Sequence, residues 1–284
     1  MTTGIYFNKP LRQDNIFVDT REVSLIKLTG RECRRGLDKA IISNDKIVNV
    51  VSHKYAHMTN DFYFGKVEQE VRNSGLQFDK RSINRDDRSF CVDYILSDDN
   101  YHINIKNGMD TLRPMLTFVN AYDGSCRTSG TFGFFREVCA NGLHVATTAV
   151  GFKVKHSASM HELVLPKIRL TFEQFMKNEF YELQRKFEVL ADKPITDLKD
   201  FVKITAQEMK LFKYESSEQN PEPGQNARAV LETITREAET LKIEPNFWLG
   251  YNAFNEIIHD KLKKPFGRQQ EQDKQLLQYL LDAN

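Results

Sequence analysis

The sequence carries almost no net charge, because 40 lysine and arginine residues are balanced by 39 aspartate and glutamate residues, which leaves a formal charge of +1. A protein that attracts nucleic acid through its overall field needs a large positive excess. The charge balance excludes such a global attraction. Any contact with an anionic partner therefore has to come from a local group of basic side chains.

Cysteine is scarce and long apolar runs are missing. The four cysteines, Cys33, Cys91, Cys126 and Cys139, are scattered without the spacing of a disulfide framework or a zinc site. No apolar run approaches the length of a membrane span, and the first ten residues lack the apolar centre of an export signal. We therefore expect a cytoplasmic protein with reduced thiols and no membrane partner.

Catalytic signatures are also missing. The chain has no glycine-rich phosphate loop, no dinucleotide-binding fingerprint and no nucleophile elbow. The sequence leaves the question of enzymatic activity open, favours a protein that is not an enzyme, and predicts no cofactor.

The residues that are present indicate a folded protein of the α+β class. The 284 residues include 40% hydrophobic and 28% charged residues, which is ordinary for a globular chain. Strand-like runs with turn signals dominate the first half, whereas apolar residues in the second half recur at helical spacing. We predict a mixed, hairpin-rich sheet with helices over residues 1–158 and a helical region over residues 159–284. Whether the two pack as one unit stays open.

Two hairpins are predicted in the first half. Phe90–Leu96 and Tyr101–Ile105 flank a polar turn and form the first pair. Met115–Asn120 and Thr131–Val138 form the second, joined through the Asp-Gly turn in Ala121–Ser125. A glycine inside the last strand, Gly133, is typical of a bulge or of a close backbone approach.

Helices are predicted from capping signals and periodicity. Thr29 and Glu32 fit a capping box that opens a short helix. His53–Asn73 has helical spacing, although its aromatic residues also suit a strand. In the second half, apolar residues from Phe172 to Leu190 alternate by threes and fours and predict one long helix with Thr171 as its N-cap. Asn246 is predicted to cap a later helix that carries Trp248 and Tyr251.

Metal sites are weakly indicated. His53 and His57 would share one face of a helix, but Lys54 occupies the position where a catalytic zinc helix carries glutamate. The paired carboxylates Asp86-Asp87 and Asp98-Asp99 lie among turn residues and point to opposite sides in a strand. The sequence therefore predicts no metal site, and a metal-dependent nuclease is the third functional hypothesis.

Local basic density beside aromatic residues is the strongest functional signal. A basic groove next to stacking aromatics is typical of proteins that bind single strands. The same residues also fit core phenylalanines and solvated arginines, so both interpretations stay open. The positions that we expect at a nucleic-acid interface are Arg31, Arg34, Arg35, Lys39, Arg113, Tyr122, Arg127, Phe134, Arg136, Lys153 and Lys155, with Tyr122 and Phe134 as stacking residues.

The segment Leu112–Leu143 resembles the phage- and plasmid-associated domain of unknown function 932. The resemblance rests on Asn120 at a strand end, the Asp123-Gly124-Ser125 turn, and the closing positions Arg136, Val138, Cys139 and Asn141. The late stretch Trp248–His259 is similar to the family's C-terminal helix. More loosely, the order of elements and Asn60 and Gly65 are similar to the Rad52-like annealing fold.

These resemblances imply a passenger of phages or plasmids, and such elements often carry their own annealing proteins. The leading hypothesis is a mobile-element protein that binds nucleic acid, with single-stranded DNA favoured, and that anneals strands. This hypothesis is compatible with a homo-oligomer. The alternative is a non-enzymatic factor that binds a protein partner, for example an inhibitor of a host defence.

Overall fold

A seven-stranded antiparallel sheet is the centre of the fold. The computed structural model describes residues 11–31, 36–106, 108–136, 141–143, 151–176, 181–217, 220–262 and 264–283. The strands of the main sheet follow the order β10-β8-β7-β5-β4, with β6 paired to β7 and β9 to β8. Their bounds are β4 Phe78–Arg85, β5 Ser89–Leu96, β6 Ile103–Ile105, β7 Asp110–Ala121, β8 Thr128–Arg136, β9 Asn141–Leu143 and β10 Gly151–Val154.

Two smaller sheets complete the strands. The first has the order β1-β2-β3, formed by β1 Thr20–Ser24, β2 Leu37–Ser43 and β3 Lys46–Ser52. The turn between β2 and β3 has positive φ at Asn44 and Asp45, the conformation that suits a tight hairpin. The second is the hairpin of β11 Glu215–Ser217 and β12 Asn220–Pro223.

Helices pack against both faces of the main sheet and form most of the second half of the chain. Their bounds are α1 Leu25–Thr29, α2 Asn60–Ser74, α3 Met160–Met176, α4 Tyr181–Asp192, α5 Leu198–Glu208, α6 Gln225–Leu241, α7 Phe247–Glu256 and α8 Phe266–Asp282. A π-helical turn, Ile257–Lys261, continues α7. The chain is therefore α+β with a helical second half, as the sequence predicts.

The two halves share one hydrophobic core. Phe118 of β7 stacks on Phe172 of α3 with ring centroids 6.0 Å apart. Phe134 of β8 meets Phe187 of α4, which in turn lies 4.9 Å from Trp248 of α7. All five side chains belong to a single cluster of buried residues. The alternating strands supply one apolar face to this cluster, because successive side chains point to opposite sides of a sheet.

One predicted hairpin is confirmed and the other is wrong. β7 and β8 pair around the Asp-Gly turn, and their register runs from Leu112–Arg136 to Val119–Ser129 without a bulge at Gly133. β5, however, pairs with β4 and β7, whereas β6 pairs with the first residues of β7. β5 and β6 therefore lie one after the other along the same edge of β7. The polar residues directly before β5, for which the sequence predicts no element, form β4.

The predicted N-cap role of Thr29 is also wrong, and the helix predicted after it falls mainly on residues 32–35, which lie outside the described residues. Ser24 caps α1, since its hydroxyl accepts a hydrogen bond from the Lys27 amide at 3.3 Å. Thr29 is the last residue of this helix, and Gly30 ends it in the left-handed conformation at φ +66°. Glycine adopts this conformation without steric cost, so the helix stops before the basic residues that we expected on its face. Arg34 and Arg35 lie outside the described residues.

His53 and His57 precede α2 and do not lie on a helix. Thr59 caps that helix by accepting a hydrogen bond from the Phe62 amide at 3.3 Å. His53 approaches Asp38 at 3.2 Å, and His57 approaches the hydroxyl of Thr20. The one-face arrangement that would favour zinc is therefore wrong.

The long helix predicted from Thr171 is described as two helices, and residues 177–180 between them lie outside the described residues. Thr171 is inside α3, where its hydroxyl donates to the Lys167 carbonyl at 2.8 Å, so it is not an N-cap. The N-cap predicted at Asn246 is confirmed, because its side chain accepts a hydrogen bond from the Leu249 amide at 3.1 Å at the start of α7. Across the described part of the chain, no helix combines the length and hydropathy needed to cross a membrane.

Candidate nucleic-acid interface

The two aromatic residues expected to stack on bases, Tyr122 and Phe134, are core residues. Both side chains are fully buried. The hydroxyl of Tyr122 accepts a hydrogen bond from the Asn60 amide at 2.9 Å, which ties the β7–β8 turn to the start of α2. A ring enclosed on all sides offers no face to a base. We therefore do not retain these two residues as stacking residues.

Arg136 is not at the surface either. Its guanidinium is fully buried and bonds to Asp110 of β7 and, at 2.6 Å, to Glu237 of α6. The indole of Trp248 donates to the same oxygen of Asp110 at 2.9 Å. A buried charge of this kind requires paired carboxylates. The arginine therefore joins the sheet to two helices of the second half and is unavailable to a phosphate.

Two further cations that the sequence predicts at the interface form ion pairs with carboxylates. Arg113 bonds to Asp79 of β4 and donates from Nε to the Leu96 carbonyl at 2.9 Å. Lys39 pairs with Glu22 of β1 at 3.0 Å. These residues reinforce strand pairing. Of the four positions before residue 40 that the sequence predicts at the interface, Arg31 is the one that is both described and exposed.

The remaining three cations, Arg127, Lys153 and Lys155, come together where β10 pairs with β8. The register sets Val154 opposite Thr128. Arg127 comes directly before Thr128 in the chain. Lys155 comes directly after Val154, and Lys153 directly before it. Because side chains alternate along extended chain, all three cations project to the same face of the sheet.

These three side chains are exposed and uncompensated. Within the described ranges, none of them forms an ion pair with a carboxylate. Neighbouring like charges on one face of an antiparallel pair lower stability. We call Arg127, Lys153 and Lys155 the β10 cationic group. Its arrangement is unfavourable for the protein alone and favourable for an anion that bridges the charges.

The basic character continues beyond these three residues. Burial raises the pKa of the Cys126 thiol to about 12 and Asp123 adds to this effect, while Arg85 and Lys153 act in the opposite direction. Arg85 lies beside the β7–β8 turn, because its guanidinium is 3.8 Å from the ring centroid of Phe266, which belongs to the same packed cluster as Cys126. The guanidinium of Arg85 donates to the Lys264 carbonyl at 2.7 Å, at the entry to α8. The sequence analysis missed Arg85, because its neighbours come from β7–β8 and α8, far away in the chain.

The residues that carry the family resemblance have structural roles. Asn120 donates to the Met58 carbonyl at 2.8 Å and to Asn60 at 2.9 Å, and it accepts from the Thr128 hydroxyl at 2.9 Å. It therefore holds the approach to α2 against the sheet. In the neighbouring turn, the Ser125 amide donates to Asp123 at 2.9 Å. These motif positions build the turn that carries Arg127.

A second polar cluster lies on the same face of the main sheet as the β10 cationic group, because the register sets Asp93, Thr117, Thr131 and Gly151 side by side across the strands. Asp93 of β5 accepts from Arg81 at 2.7 Å and from Thr117 at 2.6 Å. In the helical half, Nε2 of His259 in the π-helical turn lies 2.5 Å from Oδ2 of Asp273 in α8. Both groups are buried or nearly so, as hydrogen-bonded polar groups in a core can be. The last helix is joined to the sheet by Gln270, which donates to the Thr131 hydroxyl at 3.0 Å. The sequence analysis did not find this cluster, because its residues come from β4, β5, β7 and the last two helical segments, which are far apart in the chain.

Metal-ligating residues do not converge. Among the described residues, no group of three or more histidine, cysteine, aspartate or glutamate side chains has the arrangement to hold a metal ion. Asp86 and Asp87 have positive φ and form the turn between β4 and β5. Asp98 caps a short helical turn by accepting from the Asn100 amide at 2.9 Å.

Comparison with known proteins yields one match. The family model described as Domain of unknown function (DUF932) matches residues 47–281. No curated protein and no solved structure shows a significant match to the chain. The looser resemblance to the Rad52-like fold therefore gains no support.

Proposed function

The chain belongs to the family described as Domain of unknown function (DUF932), and from its exposed cations we propose that it binds nucleic acid through the phosphate backbone. The observation that carries the proposal is the β10 cationic group. Arg127, Lys153 and Lys155 share one face, are exposed, and have no carboxylate partner among the described residues. Phosphates repeat at a spacing that lets one strand meet several such charges at once.

The more specific form of the proposal is a phage- or plasmid-borne protein of the cytoplasm that binds single-stranded DNA and promotes annealing. Two thiols, Cys91 and Cys126, are free cysteines, as expected in a reducing compartment. With Tyr122 and Phe134 in the core, binding rests on charge, so it has little dependence on sequence and a strong dependence on salt.

Fluorescence anisotropy tests the proposal. The full chain is titrated against labelled single- and double-stranded oligonucleotides at several salt concentrations. The variant R127Q/K153Q/K155Q is expected to bind more weakly. For a single strand the slope of log K against log salt should fall by about 0.7 for each lost phosphate contact, hence by about 2 for all three.

A charge-matched control separates this surface from overall charge. R185Q/K186Q/R228Q removes three exposed cations on α4 and α6 and is expected to bind like the wild type. Equal effects of the two triple variants would overturn the assignment to β10. Absence of binding to any oligonucleotide at low salt would overturn the nucleic-acid function, and an annealing assay then becomes pointless.

A second candidate function, binding of a protein partner, is favoured by a different surface. Five large apolar residues are exposed on α1 and on the β1-β2-β3 sheet: Ile26, Leu28, Leu37, Ile47 and Val50. Exposed apolar residues that cluster in this way are typical of protein contacts. Specific capture of a partner that I47D/V50D loses, together with absent oligonucleotide binding, would replace the first candidate by the second.

A further inference from the structure

An open pocket lies at the C-terminal end of α5, formed by elements other than the β10 region. Its volume is about 960 Å³, near the upper end of the range of about 300–1,000 Å³ that small-molecule sites occupy. Lys210 follows Met209, which caps the helix; it has φ +50°, and its amide donates to the Gln207 carbonyl at 3.1 Å. The chain then continues along the pocket to Ser216.

The lining of the pocket carries an excess of positive charge. Lys203, Lys210 and Lys213 line it, and Glu215 is the acid among the described lining residues. Lys203 pairs with Glu215 at 3.0 Å. Lys210 and Lys213 are exposed and have no carboxylate partner in the ranges that the structure describes. Two ammonium groups at one opening are suited to a compact dianion.

Apolar and aromatic residues also line the pocket, among them Leu211, Phe212 and Tyr214. Phe212 stacks on the buried Phe254 with ring centroids 6.0 Å apart, so its ring is held by the core. The carbonyl of Tyr214 accepts from the Gly224 amide at 2.6 Å, which fixes the backbone of the neighbouring wall. Buried Leu211 completes this part of the lining. The wall thus offers flat rings next to the two charges.

We propose that this pocket binds a nucleoside phosphate. The phosphate lies between Lys210 and Lys213, and the base contacts Phe212 and Tyr214. An apolar ligand would leave both ammonium groups unused, and inorganic phosphate would leave the rings uncovered. A free nucleotide and the terminal nucleotide of a strand present the same chemistry. The inference is independent of the proposed function, because it uses none of the β10 cations.

Isothermal titration calorimetry of the full chain with AMP, adenosine and inorganic phosphate tests the inference. AMP is expected to bind saturably with a Kd below about 1 mM, and at least about tenfold more tightly than adenosine or phosphate. K210Q/K213Q should weaken AMP binding at least about tenfold, because both charges that face the phosphate are lost. Both side chains are exposed, so the variant is expected to unfold like the wild type.

The matched control is K186Q/K274Q, which removes two exposed lysines outside the pocket and should leave AMP binding unchanged. Absent AMP binding, phosphate binding as tight as AMP binding, or equal affinities of the wild type and K210Q/K213Q would each overturn the inference. Competition identifies the source of the nucleotide. Displacement of AMP by a 5′-phosphorylated oligonucleotide, but not by its dephosphorylated form, indicates a strand end, and no displacement indicates a free nucleotide.

Discussion

The guanidinium of Arg136 lies 5.7 Å from the ring centroid of Trp248, and both side chains donate hydrogen bonds to the same carboxylate oxygen of Asp110. Arg136 belongs to the hairpin segment that carries the family resemblance, and Trp248 opens the other segment that carries it. The two segments are far apart in the chain but meet in the core. Their shared feature is therefore a link between the sheet and the helical half.

Removal of Arg136 is predicted to destabilise the protein strongly. R136M leaves Asp110 and Glu237 buried without their counter-charge, and breaking a buried pair in this way costs about 3–5 kcal/mol. Urea denaturation measures the change in the free energy of unfolding. R228M, at an exposed position of α6, is the control and should change it by less than about 0.5 kcal/mol. Equal shifts would contradict the role of the buried network.

Alanine at Gly130 is predicted to overpack the core. A Cβ at this position would lie 2.6 Å from a ring carbon of Phe152 in β10 and 2.8 Å from a ring carbon of Phe118 in β7, and both rings belong to the core. Such overpacking costs about 1–3 kcal/mol. At Gly65 inside α2, an added Cβ meets nothing within 4 Å, so G65A should stabilise by up to about 1 kcal/mol. Thermal unfolding of both variants checks the pair, and a stable G130A would refute the close packing.

Stability is predicted to fall as the pH drops from neutral towards 4. Burial lowers the pKa of His57 to about 4; Glu22 opposes this effect, while His156, His161 and Lys39 add to it. In the unfolded chain the pKa of His57 returns to its ordinary value of 6.5. Between these values the unfolded chain binds a proton that the folded protein does not. The free energy of unfolding therefore decreases with falling pH across this window.

Urea denaturation at several pH values from 7 to 4 measures this dependence. H57Q keeps a hydrogen-bonding group near Thr20 and is expected to reduce the loss of stability at acidic pH. H53Q, at an exposed histidine, is expected to keep the dependence of the wild type. If H57Q and the wild type lost stability in parallel, burial of His57 would not be the cause.

Local patterns in the sequence were sufficient for the elements with strong periodicity or turn chemistry. The Asp-Gly turn and its flanking β-formers identified the β7–β8 hairpin, and Asn246 identified the start of α7. Alternation and helical spacing are properties of neighbouring residues, so they can be read from the chain alone. They failed where two patterns compete, as at Thr29, where a capping box is overridden by Gly30.

Strand pairing and exposure were decided by the tertiary structure. β5 pairs with β4 and β7 and not with the adjacent strand β6, and no local signal states which strands become neighbours. Whether a basic or aromatic residue faces solvent depends equally on distant partners. Arg136 is buried by Asp110 and Glu237, whereas Lys153 is exposed on the outermost strand. The sequence by itself determined the fold class and which residues carry charge, and only the packing of remote segments decided which charges are left for a ligand.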